Sequence, residues 1–205
     1  EDVLDVYSRP YNEQYPVVCM DEKPIRVFDD ARKGFRSSSS AIEYHDNEYN
    51  VRNGAAFTEP LNGWRYADAQ ERRTKTDWVQ QLDWLLTIQY PAAKKVLLVM
   101  DNLNTHSLAA LYETFEPQKA FSLASRLEIQ YTPKHRSWLN IAEIELSALG
   151  RQCLNHRRIP DLKCLQAELK PWCQNRNQNQ RGVDWHFSTN DARIKLKHFY
   201  PIINI

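Results

Sequence analysis

Five consecutive apolar residues, Val96-Leu97-Leu98-Val99-Met100, run straight into Asp101-Asn102-Leu103-Asn104-Thr105-His106. A short valine-rich run of this kind reads as a strand buried on both faces, usually in a parallel sheet. A strand covered on both faces needs layers of helix above and below it. In open α/β sheets, ligands and catalytic groups gather just beyond the carboxyl ends of such strands, which is where Asp101 stands. Alone, Asp-Asn after a strand is ordinary turn chemistry. Two further stretches give it more weight.

The first is Val17-Val18-Cys19-Met20-Asp21-Glu22, a second apolar run ending in Met-Asp. It reads as a buried strand carrying Asp21 at or near its end, with Ile25 to Phe28 continuing it or pairing with it. The other is Trp138 to Leu154. Here Leu139, Ala142, Leu146, Leu149 and Cys153 recur at three- and four-residue steps, which makes one buried face of a helix. Glu143 and Glu145 lie two apart on this helix and diverge by about 160° at 3.6 residues per turn. One falls on each flank of the apolar stripe, so only one can face the strand ends. Geometry alone leaves the choice open.

The rest of the chain fits around these stretches. Asp2 to Tyr7 is a helical turn or two. Residues 29–54, with four serines at 37–40 and a turn signal at Asn53-Gly54, read as a loop or insertion. A hairpin pairs 55–59 with 64–69 through Pro60-Leu61-Asn62-Gly63. Thr74-Lys75-Thr76-Asp77 resembles a capping box and opens an amphipathic helix over 75–90, which Pro91 ends. The central strand over 95–100, a helix over 107–115, a strand over 127–131 and a basic loop over 132–137 follow. A helix over 161–175 and a basic tail from Ala192 to His198 complete the order. This succession predicts an α/β domain of three layers with a mixed sheet, the strands of Asp21 and Asp101 being central neighbours.

Composition sets limits on this reading. A chain of 205 residues with 42% hydrophobic content makes one domain over 1–205. No apolar run reaches membrane-span length, so no membrane role is expected. Four cysteines without metal-type spacing read as reduced thiols of a cytosolic protein. The net charge of +1 hides a gradient. Residues 1–30 carry three basic and eight acidic residues, and residues 151–205 carry ten basic and four acidic. A basic helical part over 155–205 suits a polyanion such as nucleic acid, although a solvated helical surface accounts for the charge as well.

Two acids at strand ends and one on a flanking helix can converge. Three close carboxylates repel unless cations lie between them, and hard oxygen ligands select Mg2+ or Mn2+. Two such ions, roughly 3.5–4 Å apart, serve phosphoryl displacement. The chain offers no thiolate–imidazole set for zinc and no glycine-rich phosphate loop, with five glycines in all.

Val-Cys-Met-Asp-Glu (18–22), Val-Met-Asp-Asn-Leu-Asn-Thr-His (99–106) and Thr-Pro-Lys-His-Arg-Ser-Trp-Leu-Asn-Ile-Ala-Glu (132–143) resemble the three signature blocks of DDE transposases. The resemblance is to the bacterial insertion-sequence branch of the mariner superfamily. It extends through Arg72-Arg73-Thr74-Lys75, Gln152-Cys153-Leu154 and Ala192 to Leu196, and so covers most of the chain. It implies a ribonuclease H-like three-layer fold with a mixed central sheet flanked by helices. It also implies two Mg2+ ions, with Mn2+ able to substitute, and cut-and-paste movement of DNA into TA targets. Asp21, Asp101 and Glu143 become the catalytic, metal-holding acids, Glu143 being chosen over Glu145 by the spacing Asn140-x-x-Glu143. The partners implied are transposon terminal inverted repeats and target DNA, engaged by a homodimer in a bacterial cytoplasm.

DNA contacts are expected from Arg72, Arg73, Lys75, Asn102, Asn104, His106, Lys134, His135, Arg136, Trp138 and Asn140. Several have plainer readings. Arg72, Arg73 and Lys75 suit an exposed helix entry equally well, His106 suits packing, and Trp138 suits the core with one edge near DNA. Lys134 to Arg136 precede a helix N-terminus, where anions are favoured. The chain also departs from the pattern. Forty-one residues separate Asp101 from Glu143, longer than is usual in the superfamily, and the excess falls in 113–125, expected to be a surface loop. Position 136 is Arg where relatives often carry Gly. The N-terminal helix-turn-helix region of the family is expected to be absent. Two rivals are a catalytically dead DNA-binding relic, against which all three acids argue, and a structure-specific nuclease of the same fold.

Overall fold

The computed structural model describes residues 2–28, 35–36, 43–44, 50–103, 106–133, 139–155, 157–179, 182–183 and 187–195. The apolar runs become strands. β1 (Val17–Val27), β4 (Asn50–Glu59), β5 (Trp64–Gln70), β6 (Val96–Met100) and β7 (Leu127–Tyr131) form one sheet in the order β5-β4-β1-β6-β7. The hairpin β4–β5 and the pair β1–β4 are antiparallel, while β1, β6 and β7 run parallel. A separate two-residue ladder joins β2 (Phe35–Arg36) to β3 (Glu43–Tyr44).

Alternation along the strands sorts the core into layers. Val18, Met20, Val96, Leu98 and Met100 pack with Trp78, Leu82, Leu111 and Leu123. These come from α2 (Lys75–Trp84), α3 (Ala109–Thr114) and α4 (Pro117–Ser125). Val17, Cys19, Leu97 and Val99 point the other way, onto α1 (Asp2–Tyr7) and onto Leu139, Ile141 and Ala142 at the start of α5 (Ile141–Leu149). Further along that face, Ile25, Val27, Ala67 and Ala69 meet Leu146 and Leu149 of α5 and Leu165 and Leu169 of α6 (Leu162–Gln178). α7 (Thr189–Lys195) adds Ala192 to the α1 side. Among the described residues no helix is long and apolar enough to cross a membrane.

Local chemistry sets the element ends. Thr74 and Asp77 form the reciprocal capping box of α2, and Pro117 stands at the first position of α4, where its missing N–H costs nothing. α2 continues into a π-helical turn over Leu85–Gln89 and α5 into another over Gly150–Leu154. The structure departs from the sequence expectations at three places. Asp21 lies within β1, which continues through Pro24 to Val27 along β4. Asn53-Gly54 is no turn but part of β4, where Gly54 pairs with Lys23. A Cβ at Gly54 would run into the Ile25 side chain, so glycine serves a close approach there. The 113–125 stretch is not a loop, because most of it is α4, whose Ala120 and Leu123 are buried in the core.

β5 is the outer strand, and α6 covers its edge with side chains. The Asn177 amide accepts from the Arg65 N–H at 2.8 Å and donates to the Arg65 C=O at 2.7 Å. Cys173 Sγ accepts from the Ala67 N–H at 3.1 Å, and Gln166 donates to the Ala69 C=O at 2.8 Å.

Candidate active site

The β1–β6 ladder pairs Val17 with Leu97, Val18 with Leu98 and Cys19 with Val99. Two residues further on stand Asp21, within β1, and Asp101, just past the end of β6. Alternation puts Asp21 on the face of Val17 and Cys19, while Asp101 follows the last residue of β6. The face of Val17 and Cys19 is the one packed by the start of α5. Asn140 fixes this helix in place. Its side-chain oxygen caps α5 by accepting from the Ala142 N–H at 3.2 Å, and its amide nitrogen donates to the Met20 C=O at 2.7 Å. One buried amide thus ties the helix start to the residue before Asp21. Glu143, in the first turn, is exposed, and an acid there is favoured by the helix dipole.

Asp21 is half-buried, and its Oδ1 accepts from the Glu22 N–H at 2.8 Å. Burial pushes its pKa up to about 6; the Glu22 N–H opposes this, while the charges of Asp101, Glu143 and Glu22 add to it. The acids are therefore close enough to repel. Among the described residues no cation is paired with Asp21 or Glu143. Hard oxygen donors that repel one another suit a divalent cation in type. Among the described residues no three acid, histidine or cysteine side chains are already gathered tightly enough to clasp one ion. The set is open, and Asp101 leans toward His106.

Glu145 points elsewhere. It is 5% exposed, with Oε1 at 2.8 Å from Arg65 Nε and Oε2 at 3.0 Å from Arg176 Nη2. Its carboxylate is occupied within the fold.

Sequence reasoning gave Glu22 no role. As the neighbour of Asp21 on a strand it faces the opposite side, toward α2. Its Oε2 lies 2.8 Å from Arg73 Nε and 3.3 Å from His106 Nε2, and its Oε1 accepts from Asn53 at 3.0 Å. His106 Nδ1 lies 3.4 Å from Asp101 Oδ1. The contacts of His106 are at ion-pair distance without hydrogen-bond alignment. Burial draws the His106 pKa down, but the facing Asp101 and Glu22 carboxylates outweigh it and leave the pKa raised. The period-2 alternation of Met20-Asp21-Glu22 was the available signal that Asp21 and Glu22 serve different faces.

Of the residues expected to touch DNA, Arg72 and Asn102 are exposed. Arg73 is drawn onto Glu22, and Lys75 pairs with Glu113 at 3.0 Å on the surface. His106 and Asn140 are 2% and 1% exposed. Both are turned inward by interior partners and have no surface to offer a phosphate. Asn104, Lys134, His135, Arg136 and Trp138 lie outside the described residues.

A mixed five-stranded sheet of this order, helices on both faces, and acids within one central parallel strand and just past the end of the other define a ribonuclease H-like domain. The chain is similar to the Mos1 mariner paired-end complex with Mn at 17% identity and TM-score 0.55, over 84% of this chain and 52% of that one. It is similar to the same paired-end complex with Mg at 17% identity and TM-score 0.56, over 85% and 52%. The Mos1 strand transfer complex matches at 17% and 0.55, over 84% and 51%. The chain thus spans about half the length of these proteins, and the likeness is one of fold. No curated protein matches it. The family model described as DDE superfamily endonuclease matches residues 16–166, and the chain belongs to that family.

Proposed function

We propose that this chain is the catalytic domain of a transposase. It hydrolyses a phosphodiester at transposon ends and joins the freed 3′-hydroxyl to target DNA at TA sites. The observation that supports the reading is the repulsion Asp21 feels from Asp101 and Glu143, acids carried by the adjacent parallel strand and by one helix, with no protein cation on Asp21 or Glu143 among the described residues. These acids would hold two Mg2+ ions, with Mn2+ able to substitute. Bound there, such ions lower the pKa of an attacking water and stabilise the leaving oxygen of an in-line displacement.

The chain's own part is placement. The β1–β6 pairing, which runs up to Cys19 and Val99, would bring two oxygen donors near each other, and Asn140 would hold the helix that brings the third. Exposed Arg72 and the segment of Lys134, His135 and Arg136 contact the DNA backbone. The partners are terminal inverted repeats and target DNA, bound by a homodimer, and the setting is the cytoplasm of a bacterium carrying an insertion sequence.

Mn2+ titrated calorimetrically into wild type and Asp101→Asn tests the reading. Wild type binds, and the variant loses binding or weakens it about tenfold or more. A plasmid carrying TA sites, supplied with transposon ends, yields joined product with wild type alone. Equal Mn2+ binding by both proteins overturns the metal assignment, and cleavage without joining reduces the activity to that of a nuclease.

A further inference from the structure

Behind Asp101 lies a buried ring with an unusual set of neighbours. His106 is 2% exposed and stacks on Trp78 at 5.2 Å between centroids and 23° between planes. Its C=O accepts from the Tyr131 hydroxyl at 2.9 Å, and its N–H donates to the Leu103 C=O at 2.9 Å. Held this way, the ring turns Nδ1 toward Asp101 Oδ1 at 3.4 Å and Nε2 toward Glu22 Oε2 at 3.3 Å. Glu22 is itself braced, with Arg73 Nε at 2.8 Å from Oε2 and Asn53 donating to Oε1 at 3.0 Å. Its side chain is 3% exposed.

Packing does not account for this arrangement. A phenylalanine would stack on Trp78 equally well, without two ring nitrogens and a carboxylate to desolvate. Burying such groups costs free energy unless each has a partner. Here the charges face one another at ion-pair distance, from Arg73 at the surface through Glu22 and His106 to Asp101. Among the described residues the other carboxylate oxygen of Asp101 has no partner.

We infer that His106 is a positioning residue for Asp101. Through Nδ1 it restrains one carboxylate oxygen and leaves the other directed at the reaction centre, while Glu22, braced by Arg73 and Asn53, fixes the ring through Nε2. The inference rests on the reading of Asp101 as a metal ligand. Partners that orient a ligand from behind are worth about 10–100-fold in metal affinity or activity.

The test compares His106→Phe, His106→Asn, His106→Gln and Glu22→Gln, with Asp101→Asn as control. Mn2+ affinity by calorimetry, kcat and KM for DNA cleavage, and thermal unfolding are measured for each. His106→Phe keeps the stack and loses both nitrogens, so Mn2+ binding weakens about 10–100-fold. Its kcat falls while KM for DNA stays within about twofold. The Asn amide falls near Nδ1 and the Gln amide near Nε2, so His106→Asn retains more Mn2+ affinity than His106→Gln. Equal behaviour of these two overturns the inference, as does wild-type Mn2+ affinity in His106→Phe. If His106→Phe does not fold, the Asn–Gln pair and Glu22→Gln decide, and an unchanged Mn2+ affinity in Glu22→Gln overturns the relay. Wild-type Mn2+ affinity in Asp101→Asn removes the metal reading itself. Loss in Asp101→Asn with none in His106→Phe overturns only the role of His106.

Discussion

The two glutamates of α5 belong to regions that treat negative charge in opposite ways. Toward α6, Glu145 is buried between Arg65 and Arg176, and its charge is answered within the fold. Toward the end of β6, Asp21 is half-buried against the charges of Asp101, Glu143 and Glu22, and among the described residues no cation is paired with it. One region uses an acid to join β5, α5 and α6. The other gathers acids at a cost to the fold and leaves their charge to be answered from outside. What faces a carboxylate thus decides how its charge is answered, since two glutamates two residues apart on one helix meet such different surroundings.

The widest separation between the regions is expected in catalysis. Glu143→Gln should lower metal-dependent cleavage about a thousandfold, the scale of several kcal/mol of lost charge stabilisation. Its unfolding midpoint should stay within about 0.5 kcal/mol of wild type, as for an exposed site. A cleavage assay beside a urea titration checks both, and full activity in this variant would collapse the contrast. Glu145→Ala should do the reverse. Removing one partner of a buried ion pair costs about 3 kcal/mol, read as a lower urea midpoint, while the protein that remains folded cleaves at nearly the wild-type rate.

Asp21→Asn sharpens the comparison from the other side, because it should stabilise. Burial and like charge raise the folded pKa of Asp21 to about 6, so its ionisation disfavours the folded state at neutral pH. The cost is absent below the unfolded pKa of about 3.9 and complete above the folded one. The variant should therefore gain on the order of 2 kcal/mol at pH 7, and the gain should vanish near pH 3 in a melting series. The smallest effect belongs to a pair in neither region. Lys75 and Glu113 are about half exposed, and Lys75→Ala should change stability by less than about 0.5 kcal/mol. A larger shift in its melting temperature would give that pair a structural role.

Much of the architecture was legible because its signals are local. Apolar runs ending in Met-Asp gave β1 and β6, and the expectation that these strands are central neighbours matches the sheet order. What was hidden depends on distant partners. No periodicity announces that Arg65 of β5 and Arg176 of α6 close on Glu145, so the sequence left Glu143 and Glu145 open by geometry. Asn140 reads as a DNA contact and His106 as either a phosphate neighbour or a packing residue, until the Met20 carbonyl and Glu22 are seen to draw both inside. Asn53-Gly54 carries a turn signal, but nine residue pairs with β1 outweigh a local preference, and Ile25 occupies the space a side chain at Gly54 would need. α4 had a readable start at Pro117. Its buried pair Ala120 and Leu123 is too short a pattern to stand out among polar neighbours.

The side chains of α6 on the edge of β5 have a consequence for how the molecule keeps to itself. An outer strand with bare amides and carbonyls is a template on which another chain can add a strand. Here Asn177 pairs with Arg65 as the backbone of a sixth strand would, and Cys173 and Gln166 occupy the next positions along. The sheet ends in a helix that imitates a strand. Substituting all three by alanine would restore the template while leaving the helix intact. Growth of light scattering on gentle warming, well below the melting temperature, would mark the point at which self-recognition by β5 is no longer blocked.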